Sequence, residues 1–280
     1  MELNWHPLWT IDRIKWPFNS TTDRAYSKNI LFPLMIERGI IPTQVEINTR
    51  AHILKNLRLV VDNWIGVVGN RQGVKNLTAL VVPYGSFGLE VYNGSSDMDL
   101  LVIAPKLASE EDFFVVLREN IEANLPVQNM RSIRRAKVPL LKFNVDEVDV
   151  DLACARVNTV IIPRAEILHE QQFCIPIALD RSSRLTLQSI MSNWTISQCL
   201  QANKENFVQA TRFLKHWAIR RGIYGNINCY IGGIHLDVMV AFTCLRCEGK
   251  SCAGIISHFF AIFSTWIWED PVLLGELLTT

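Results

Sequence analysis

The sequence has no apolar run long enough to cross a bilayer. Its two most apolar stretches, residues 229–245 and 254–268, are interrupted by ionisable side chains, and neither reaches the roughly 18–20 uncharged residues that a spanning helix needs. Residues 1–9 contain no basic region followed by an apolar stretch, so we expect no secretory signal there. The sequence therefore predicts no membrane partner.

An excess of one charge is also absent. There are 28 Lys and Arg residues against 27 Asp and Glu residues, which gives a net charge of +1. A protein coated with positive potential is excluded, so any contact with nucleic acid must come from local basic patches. Two such patches stand out, Arg131, Arg134, Arg135 and Lys137 in the first and Arg212, Lys215, His216, Arg220 and Arg221 in the second.

The seven cysteines are odd in number and lie mostly in apolar runs. This pattern is typical of buried free thiols in a reducing compartment. Cys244, Cys247 and Cys252 are close in sequence, but no fourth ligand follows at the spacing of a zinc site. We therefore interpret them as core residues.

Apolar periodicity divides the chain into two parts. The first contains a long helix that begins with the capping pair Thr43 and Glu46 and runs to about Gly69. Strands are predicted at 77–82 and 99–104, a helix opened by Ser109 with Asp112 follows them, and a hairpin pairs 139–145 with 148–155.

After Ile162 the helical patterns dominate, with helices predicted from Asn203 to Gly222 and over 234–246 and 252–265. The fold class predicted is α+β, with a small mixed β-sheet domain with helices over residues 45–160 and a mostly helical domain over residues 161–280.

An apolar strand begins at Asp99, and a second aspartate, Asp97, lies two residues before it. Strand alternation places both side chains on one face. Adjacent carboxylates at the end of a buried strand repel each other, and each raises the pKa of the other. A divalent cation relieves this repulsion, and Mg²⁺ is usually held by one or two carboxylates together with water and phosphate oxygens.

The second strand of the hairpin carries another alternating pair, Asp149 and Asp151. By itself this pair would be interpreted as the solvated side of a half-exposed strand. Beside Asp97 and Asp99, one of the two can supply a third metal ligand, and the pattern does not choose between them.

A Gly-Ser turn, Gly85-Ser86, lies shortly before the first pair of aspartates. Glycine lets backbone amides approach a ligand closely, and Ser86 adds a hydroxyl near the start of a short helix, where the helix dipole favours phosphate. A Gly-Ser turn, then Asp97 and Asp99, then an Asp on a later strand together indicate a phosphate site joined to a two-metal site.

These motifs resemble those of the DNA polymerase β-like nucleotidyltransferases, and more closely those of eukaryotic nuclear-type poly(A) polymerases. The resemblance rests on the stretches that begin at Pro83, Asp97, Val138, Asp151, Phe213, Gly232 and His258, which occur in the family in this order. It runs from about the long helix to the C-terminus and covers the catalytic and central domains. The family also places residues 1–44 with the helical domain.

The resemblance implies a role for each site residue. Asp97, Asp99 and Asp151 would be the catalytic residues and the ligands of two Mg²⁺ or Mn²⁺ ions. The resemblance thus selects Asp151 over Asp149 as the third metal ligand. Ser86 would touch the triphosphate, Lys215 and Tyr224 would hold phosphate and nucleotide, and Gly233 and Ile234 would line the base and ribose pocket. The implied nucleotide-binding set is Tyr84, Gly85, Ser86, Asn93, Lys215, Tyr224, Gly233 and Ile234.

The chain departs from the family pattern at several positions. Gly88 and Glu90 differ from the usual residues, and Leu236 and Asp237 replace an aromatic and a small residue after the double glycine. Asp180 lies near the position of an adenine-reading Asn in the family. These departures bear on nucleotide selectivity more than on nucleotidyl transfer.

The function implied is template-independent addition of AMP from ATP to RNA 3′ ends in mRNA polyadenylation, in the nucleus. Implied partners are an RNA 3′ end, ATP, and cleavage and polyadenylation factors. Two alternatives remain open, a related nucleotidyltransferase with another nucleotide or acceptor, and a non-catalytic RNA-binding scaffold.

Overall fold

The computed structural model describes residues 24–162, 180–200, 203–226, 229–247 and 249–274. Within these ranges a five-stranded mixed sheet lies between helices and is followed by a helical region. The strands are β1 (Leu80–Pro83), β2 (Met98–Pro105), β3 (Val127–Ile133), β4 (Leu140–Val145) and β5 (Val148–Val157).

Eight α-helices lie in the described ranges. They are α1 (Phe32–Glu37), α2 (Gln44–Gln72), α3 (Gly85–Gly88), α4 (Arg118–Asn124), α5 (Arg181–Cys199), α6 (Lys204–Arg220), α7 (Gly233–Arg246) and α8 (Cys252–Ser264). Short π-helical segments, Ser27–Leu31 and Asp112–Leu117, lead into α1 and α4. None of the described helices combines the length and hydropathy needed to span a bilayer.

The strand order is β1-β2-β5-β4-β3. Only the central pair, β2 and β5, is parallel, and the other neighbours are antiparallel. The central pair is the most enclosed part of the sheet, and β2 is buried along nearly its whole length. This pair positions the site, because its parallel register brings the N-terminal ends of two acidic strands together.

Apolar side chains cover both faces of the sheet. On one face, α2 and the Asp112–Leu117 segment bury Trp64, Phe113 and Phe143 in a shared core. On the other face, Leu187 of α5 packs with Leu101 and neighbouring strand residues. The sheet is therefore the middle layer of three.

A separate core unites α1 with α6, α7 and α8. Leu31, Met35 and Ile40 pack there with residues such as Leu214 and Val240. The described part of the N-terminal segment thus lies against the helical region, while residues 1–23 fall outside the described ranges.

Most of the predicted elements are confirmed. Thr43 and Glu46 form a reciprocal capping box, and the long helix ends at Gly73 in the left-handed conformation. The hairpin turn places Asp146 at φ 49° and Glu147 at φ 64°, as a two-residue turn with both central residues at positive φ requires. Asn203 precedes α6 as predicted, although its side chain makes no capping hydrogen bond.

Two of the strands differ from the prediction, and the sequence analysis assigned no helix to α5. The first strand begins at Leu80, later than expected, and the sequence analysis assigned no strand to β3. The β3 side chains do not alternate cleanly between buried and exposed, and the pairing of β3 with β4 shifts register between Gln128 and Arg131. A bulged edge strand of this kind lacks the period-2 signal on which strand prediction depends.

Candidate active site

Three carboxylates meet at the N-terminal ends of β2 and β5. Asp99 and Asp151 are direct neighbours in the parallel register of these strands, and Asp97 lies two residues before Asp99. One carboxylate oxygen from each of the three lies within 4.8 Å of the others. Asp149 is exposed, and its side chain accepts a hydrogen bond from Asn144 at 3.1 Å. The structure therefore brings Asp151, and not Asp149, to the pair.

The Gly-Ser turn lies directly against this cluster. The Tyr84 N–H donates to the Asp99 carbonyl at 3.0 Å, which ties the turn to β2. Gly85 has φ +60°, and a Cβ atom there would overlap the Asp99 carboxylate. The Asn193 side chain of α5 donates to the Gly85 carbonyl at 2.9 Å. Glycine is required because only it combines this backbone conformation with so close an approach.

Arg50 of α2 holds the loop that leads to Asp97. Its guanidinium donates to the carbonyls of Gly94 and Ser96 at 2.8 and 2.7 Å, and Arg50 is 1% exposed. The Asn93 side chain accepts hydrogen bonds from Ser95 and Ser96 within the same loop. Asn93, which the resemblance placed among the nucleotide-binding residues, therefore folds the loop and does not line the cavity described below.

Lys142 was missed by the sequence analysis as a site residue. It lies opposite Asp151 in the antiparallel pair of β4 and β5, and its ammonium group donates to the Asp151 carboxylate at 3.0 Å. The signal available was its position: Lys142 and Asp151 face each other across the predicted hairpin, where opposite charges form a cross-strand pair.

The cluster has the electrostatics expected of a cation site. Burial and, after it, the Asp97 and Asp151 carboxylates raise the pKa of Asp99 to about 7, while Lys215 and Lys142 oppose the rise. An acidic group that is both desolvated and beside like charges needs a counter-charge to ionise. Three oxygen donors at this spacing suit a hard divalent ion. Among the described residues this is the one group of His, Cys, Asp or Glu side chains placed to share a metal.

A cavity of about 540 Å³ opens from the cluster towards the helical region. Asp97, Asp99 and the Gly85-Ser86 turn line it together with residues of α5, α6 and α7. Seven of the eight residues that the resemblance assigned to the nucleotide line it, namely Tyr84, Gly85, Ser86, Lys215, Tyr224, Gly233 and Ile234. Its size and mixed lining are those of a small-molecule site.

Lys215 and Tyr224 lie together in this cavity. The Lys215 ammonium is 5.7 Å from the centre of the Tyr224 ring, within the range of a cation–π contact. Burial raises the pKa of Tyr224 to about 12, with Asp237 and Asp97 contributing to the rise. Tyr224 therefore remains a neutral hydrogen-bonding group, and Lys215 supplies positive charge beside the carboxylates.

Asp237, on α7, is a buried acid in the cavity wall. It is 6% exposed, and burial raises its pKa to about 7, with Lys215 opposing the rise. The described residues form no hydrogen bond or ion pair with its side chain. A buried carboxylate without a partner lowers the stability of the folded protein when it ionises.

Asp237→Asn is accordingly expected to stabilise the free protein in alkaline solution. The pKa of Asp237 rises from 3.8 to about 7 on folding, so the folded state binds the extra proton and the wild type loses stability as pH increases between these values. We expect the variant to melt at higher temperature than the wild type at about pH 8.5, with a gain on the order of 1–3 kcal/mol, and the difference to vanish near about pH 4.

Thermal unfolding at the two pH values, without nucleotide, measures this effect. Asp149→Asn is the matched control, because Asp149 is exposed on β5. Equal melting temperatures for Asp237→Asn and the wild type at the higher pH would contradict the assignment of a buried, unpartnered charge.

One member of the second basic patch, Arg212, is not on the surface. Arg212 is 9% exposed and donates to the carbonyls of Tyr92 and Glu90 at 2.9 and 2.7 Å. It joins α6 to the loop before Asp97, so the interpretation of Arg212 as a nucleic-acid contact is wrong. Lys215 faces the cavity, whereas Arg220 and Arg221 remain exposed.

Asp180 lies away from the nucleotide cavity. Its carboxylate accepts from the Ser183 backbone N–H at 2.7 Å and from Arg156 at 3.1 Å, so it caps α5. It lines a second cavity of about 340 Å³ with Arg156. These contacts are those of a helix N-cap. They explain the position of Asp180 without any contact to an adenine base.

The described cysteines are free thiols, as predicted, and Cys174 lies outside the described residues. Cys244, Cys247 and Cys252 are buried, and burial raises the pKa of Cys252 to about 12. Thiols with such pKa values are poor metal ligands, which supports a packing role.

A mixed five-stranded sheet that carries three converging carboxylates beside a Gly-Ser turn defines a nucleotidyltransferase. Residues 19–175 match the family model of the poly(A) polymerase nucleotidyltransferase domain, and residues 206–280 match that of the poly(A) polymerase central domain. The chain belongs to the poly(A) polymerase family.

Curated relatives agree with this assignment. Nuclear poly(A) polymerase 3 of Arabidopsis thaliana is 34% identical over 249 residues, which cover 87% of this chain and 48% of that protein. Poly(A) polymerase PAPalpha of Candida albicans is 28% identical over 269 residues, which cover 92% of this chain and 47% of that protein. The chain spans about half the length of these relatives.

Solved structures share the fold. A crystal structure of the Cid1 poly(U) polymerase has a TM-score of 0.57 at 14% identity and covers 86% of this chain and 75% of that one. The polymerase core of TRAMP, an RNA surveillance complex, has a TM-score of 0.50 at 14% identity and covers 82% and 62%. At these identities the likeness shows the fold alone.

Proposed function

We propose that this chain transfers AMP from ATP to the 3′ end of RNA without a template. The observation that carries the proposal is the meeting of Asp97, Asp99 and Asp151 beside a cavity that also contains Lys215 and the Gly85-Ser86 turn. Membership of the poly(A) polymerase family and relatives named nuclear poly(A) polymerases support adenylyl transfer to RNA.

The three aspartates would hold two Mg²⁺ or Mn²⁺ ions. Bound there, such ions would lower the pKa of a 3′-hydroxyl and neutralise the triphosphate and the departing pyrophosphate. Asp97, which precedes β2, and Asp99 on β2 would hold the ions together with Asp151 of β5. Lys142, which donates to the Asp151 carboxylate, would compete with a cation for that carboxylate.

The rest of the cavity would bind the nucleotide. Tyr84, Gly85 and Ser86 provide a backbone turn and a hydroxyl for phosphate oxygens, and Lys215 adds positive charge. Tyr224, Gly233 and Ile234 would contact the sugar and base. We propose that Asn93 contributes indirectly, by shaping the loop that presents Asp97.

Location and protein partners extend the proposal. Relatives named nuclear poly(A) polymerases support a nuclear location, and cleavage and polyadenylation factors remain predicted partners. The boundary between a catalytic domain at residues 45–160 and a helical domain at 161–280 also remains a prediction.

Primer extension on a short RNA, with each of the four nucleoside triphosphates in turn, tests the proposal. We expect ATP to extend the primer by many nucleotides in Mg²⁺ or Mn²⁺ and no product in chelator. Preferential use of UTP would show that the same site catalyses uridylyl transfer and not adenylyl transfer. Nucleotide binding without extension by any nucleotide would favour a non-catalytic scaffold.

A further inference from the structure

Asp237 is an acidic cavity residue that has no role in the proposed reaction. Its side chain is buried, lines the nucleotide cavity, and has no hydrogen bond or ion pair within the part of the chain that the structure describes. A carboxylate in this position accepts hydrogen bonds strongly and offers none when ionised. It is therefore suited to a ligand group that donates.

The position of Asp237 limits which part of a nucleotide can approach it. The triphosphate carries the negative charge, and the aspartate cluster with its cations, Gly85-Ser86 and Lys215 are the groups that attract it. A buried carboxylate repels phosphate, so phosphates and Asp237 cannot be in contact at reasonable cost. The uncharged part of the nucleotide, its sugar and base, is therefore the part that we expect to lie against Asp237, while Lys215 beside it can reach the phosphates.

The neighbours of Asp237 favour the base over the sugar. Ile234 and Leu236 of α7 and Leu185 of α5 line the same cavity. Apolar side chains beside a carboxylate, in a lining that also contains Gln188, Ser189, Ser192 and Asn193 of α5, match the flat apolar face and polar edge of a nucleobase. The exocyclic amino group of adenine is a donor on that edge, whereas the carbonyl that replaces it in hypoxanthine is an acceptor.

We propose that the Asp237 carboxylate accepts a hydrogen bond from the exocyclic amino group of the incoming base and so selects ATP over ITP. This inference rests on the proposed function only in placing the triphosphate at the aspartate cluster. A hydrogen bond to a charged acceptor typically changes affinity by about 10- to 100-fold. In ITP the carbonyl of hypoxanthine would face the carboxylate, and the repulsion between these two acceptors would weaken ITP binding further.

Equilibrium binding of ATP and ITP tests the inference independently of turnover. Isothermal titration calorimetry in Mg²⁺, without RNA and at about pH 8.5, keeps Asp237 ionised in the empty cavity. We expect the wild type to bind ATP about 10- to 100-fold more tightly than ITP. Asp237→Asn should bring the ratio near unity, since an amide can both accept from the amino group and donate to the carbonyl. Asp237→Ala should also reduce it, and Asp149→Asn should leave it unchanged.

Two results would overturn the inference. In the first, the wild type does not discriminate ATP from ITP, or binds neither, or the Asp237 variants keep the wild-type ratio. In the second, the variants change discrimination between ATP and 2′-deoxy-ATP or 3′-deoxy-ATP instead, which would assign Asp237 to the ribose. Melting curves of each variant verify that it is folded.

Parallel primer extension separates this inference from the proposed function. A wild type that discriminates through Asp237 but extends no primer would retain the inference and remove the transfer activity. A wild type that extends the primer with ATP while the Asp237 variants keep its ATP-to-ITP ratio would retain the activity and remove the inference.

Discussion

Asp99→Ala is expected to reduce nucleotide incorporation by about 10³-fold or more, because a direct ligand of catalytic cations contributes several kcal/mol to the transition state. Asp99 lies between Asp97, two residues before it, and Asp151 in the neighbouring strand. Single-turnover primer extension with labelled ATP measures the loss. Replacing Asp97 or Asp151 by Ala should have a comparable effect, since all three act as a unit.

The fold should survive the Asp99 substitution. Burial and like charges raise the pKa of Asp99, so its ionised form destabilises the free protein and its removal does not lower the melting temperature at neutral pH. Asp149→Ala is the matched control, because Asp149 is an exposed acid on β5, two positions from Asp151 on the same strand face. Near wild-type incorporation by Asp99→Ala, or an equal loss in Asp149→Ala, would refute the assignment.

Gly85→Ala is expected to lower incorporation by about 10²-fold, although it removes no charged group. A displacement of about 1 Å among the groups that take part in a reaction has an effect of this size. The new Cβ would overlap the Asp99 carboxylate, so the acid must move away from the position it shares with Asp97 and Asp151. The rate at saturating ATP and metal measures this displacement.

Gly73→Ala isolates the backbone contribution. Gly73 ends α2 at φ +68°, close to the φ of +60° at Gly85, but a Cβ there meets no atom within 4 Å. Both variants should lose about 1–2 kcal/mol of stability from the strained left-handed conformation, and only Gly85→Ala should lose activity. Full activity in Gly85→Ala would show that the contact with Asp99 does not position the acid.

Regular local patterns made part of this fold predictable. The alternating acids and apolar residues of β5, with two residues fit for a tight turn before it, define the hairpin and put Asp149 and Asp151 on one face. The capping box at Thr43 fixes the start of α2 within a residue. These signals are local, and the energies behind them come from residues a few positions apart.

The remaining structure depends on contacts that a single sequence does not display. Asn129 in β3 has φ +55°, which breaks the strand pattern, and the strand exists because β4 supplies its hydrogen bonds. Arg50 and Arg212 appear as ordinary helix residues, yet each donates to carbonyls more than 40 positions away. The choice of Asp151 over Asp149 likewise depends on which residue β2 pairs with, and register between distant strands has no local signature.

The most direct measurement of the central claim is the binding of Mn²⁺, followed by the electron paramagnetic resonance signal of the free ion. In the presence of a non-hydrolysable ATP analogue, wild-type protein should bind two Mn²⁺ ions per chain, and Asp99→Asn should bind fewer and more weakly, while Asp149→Asn matches the wild type. Identical Mn²⁺ binding by the wild type and Asp99→Asn would contradict a metal site at Asp97, Asp99 and Asp151.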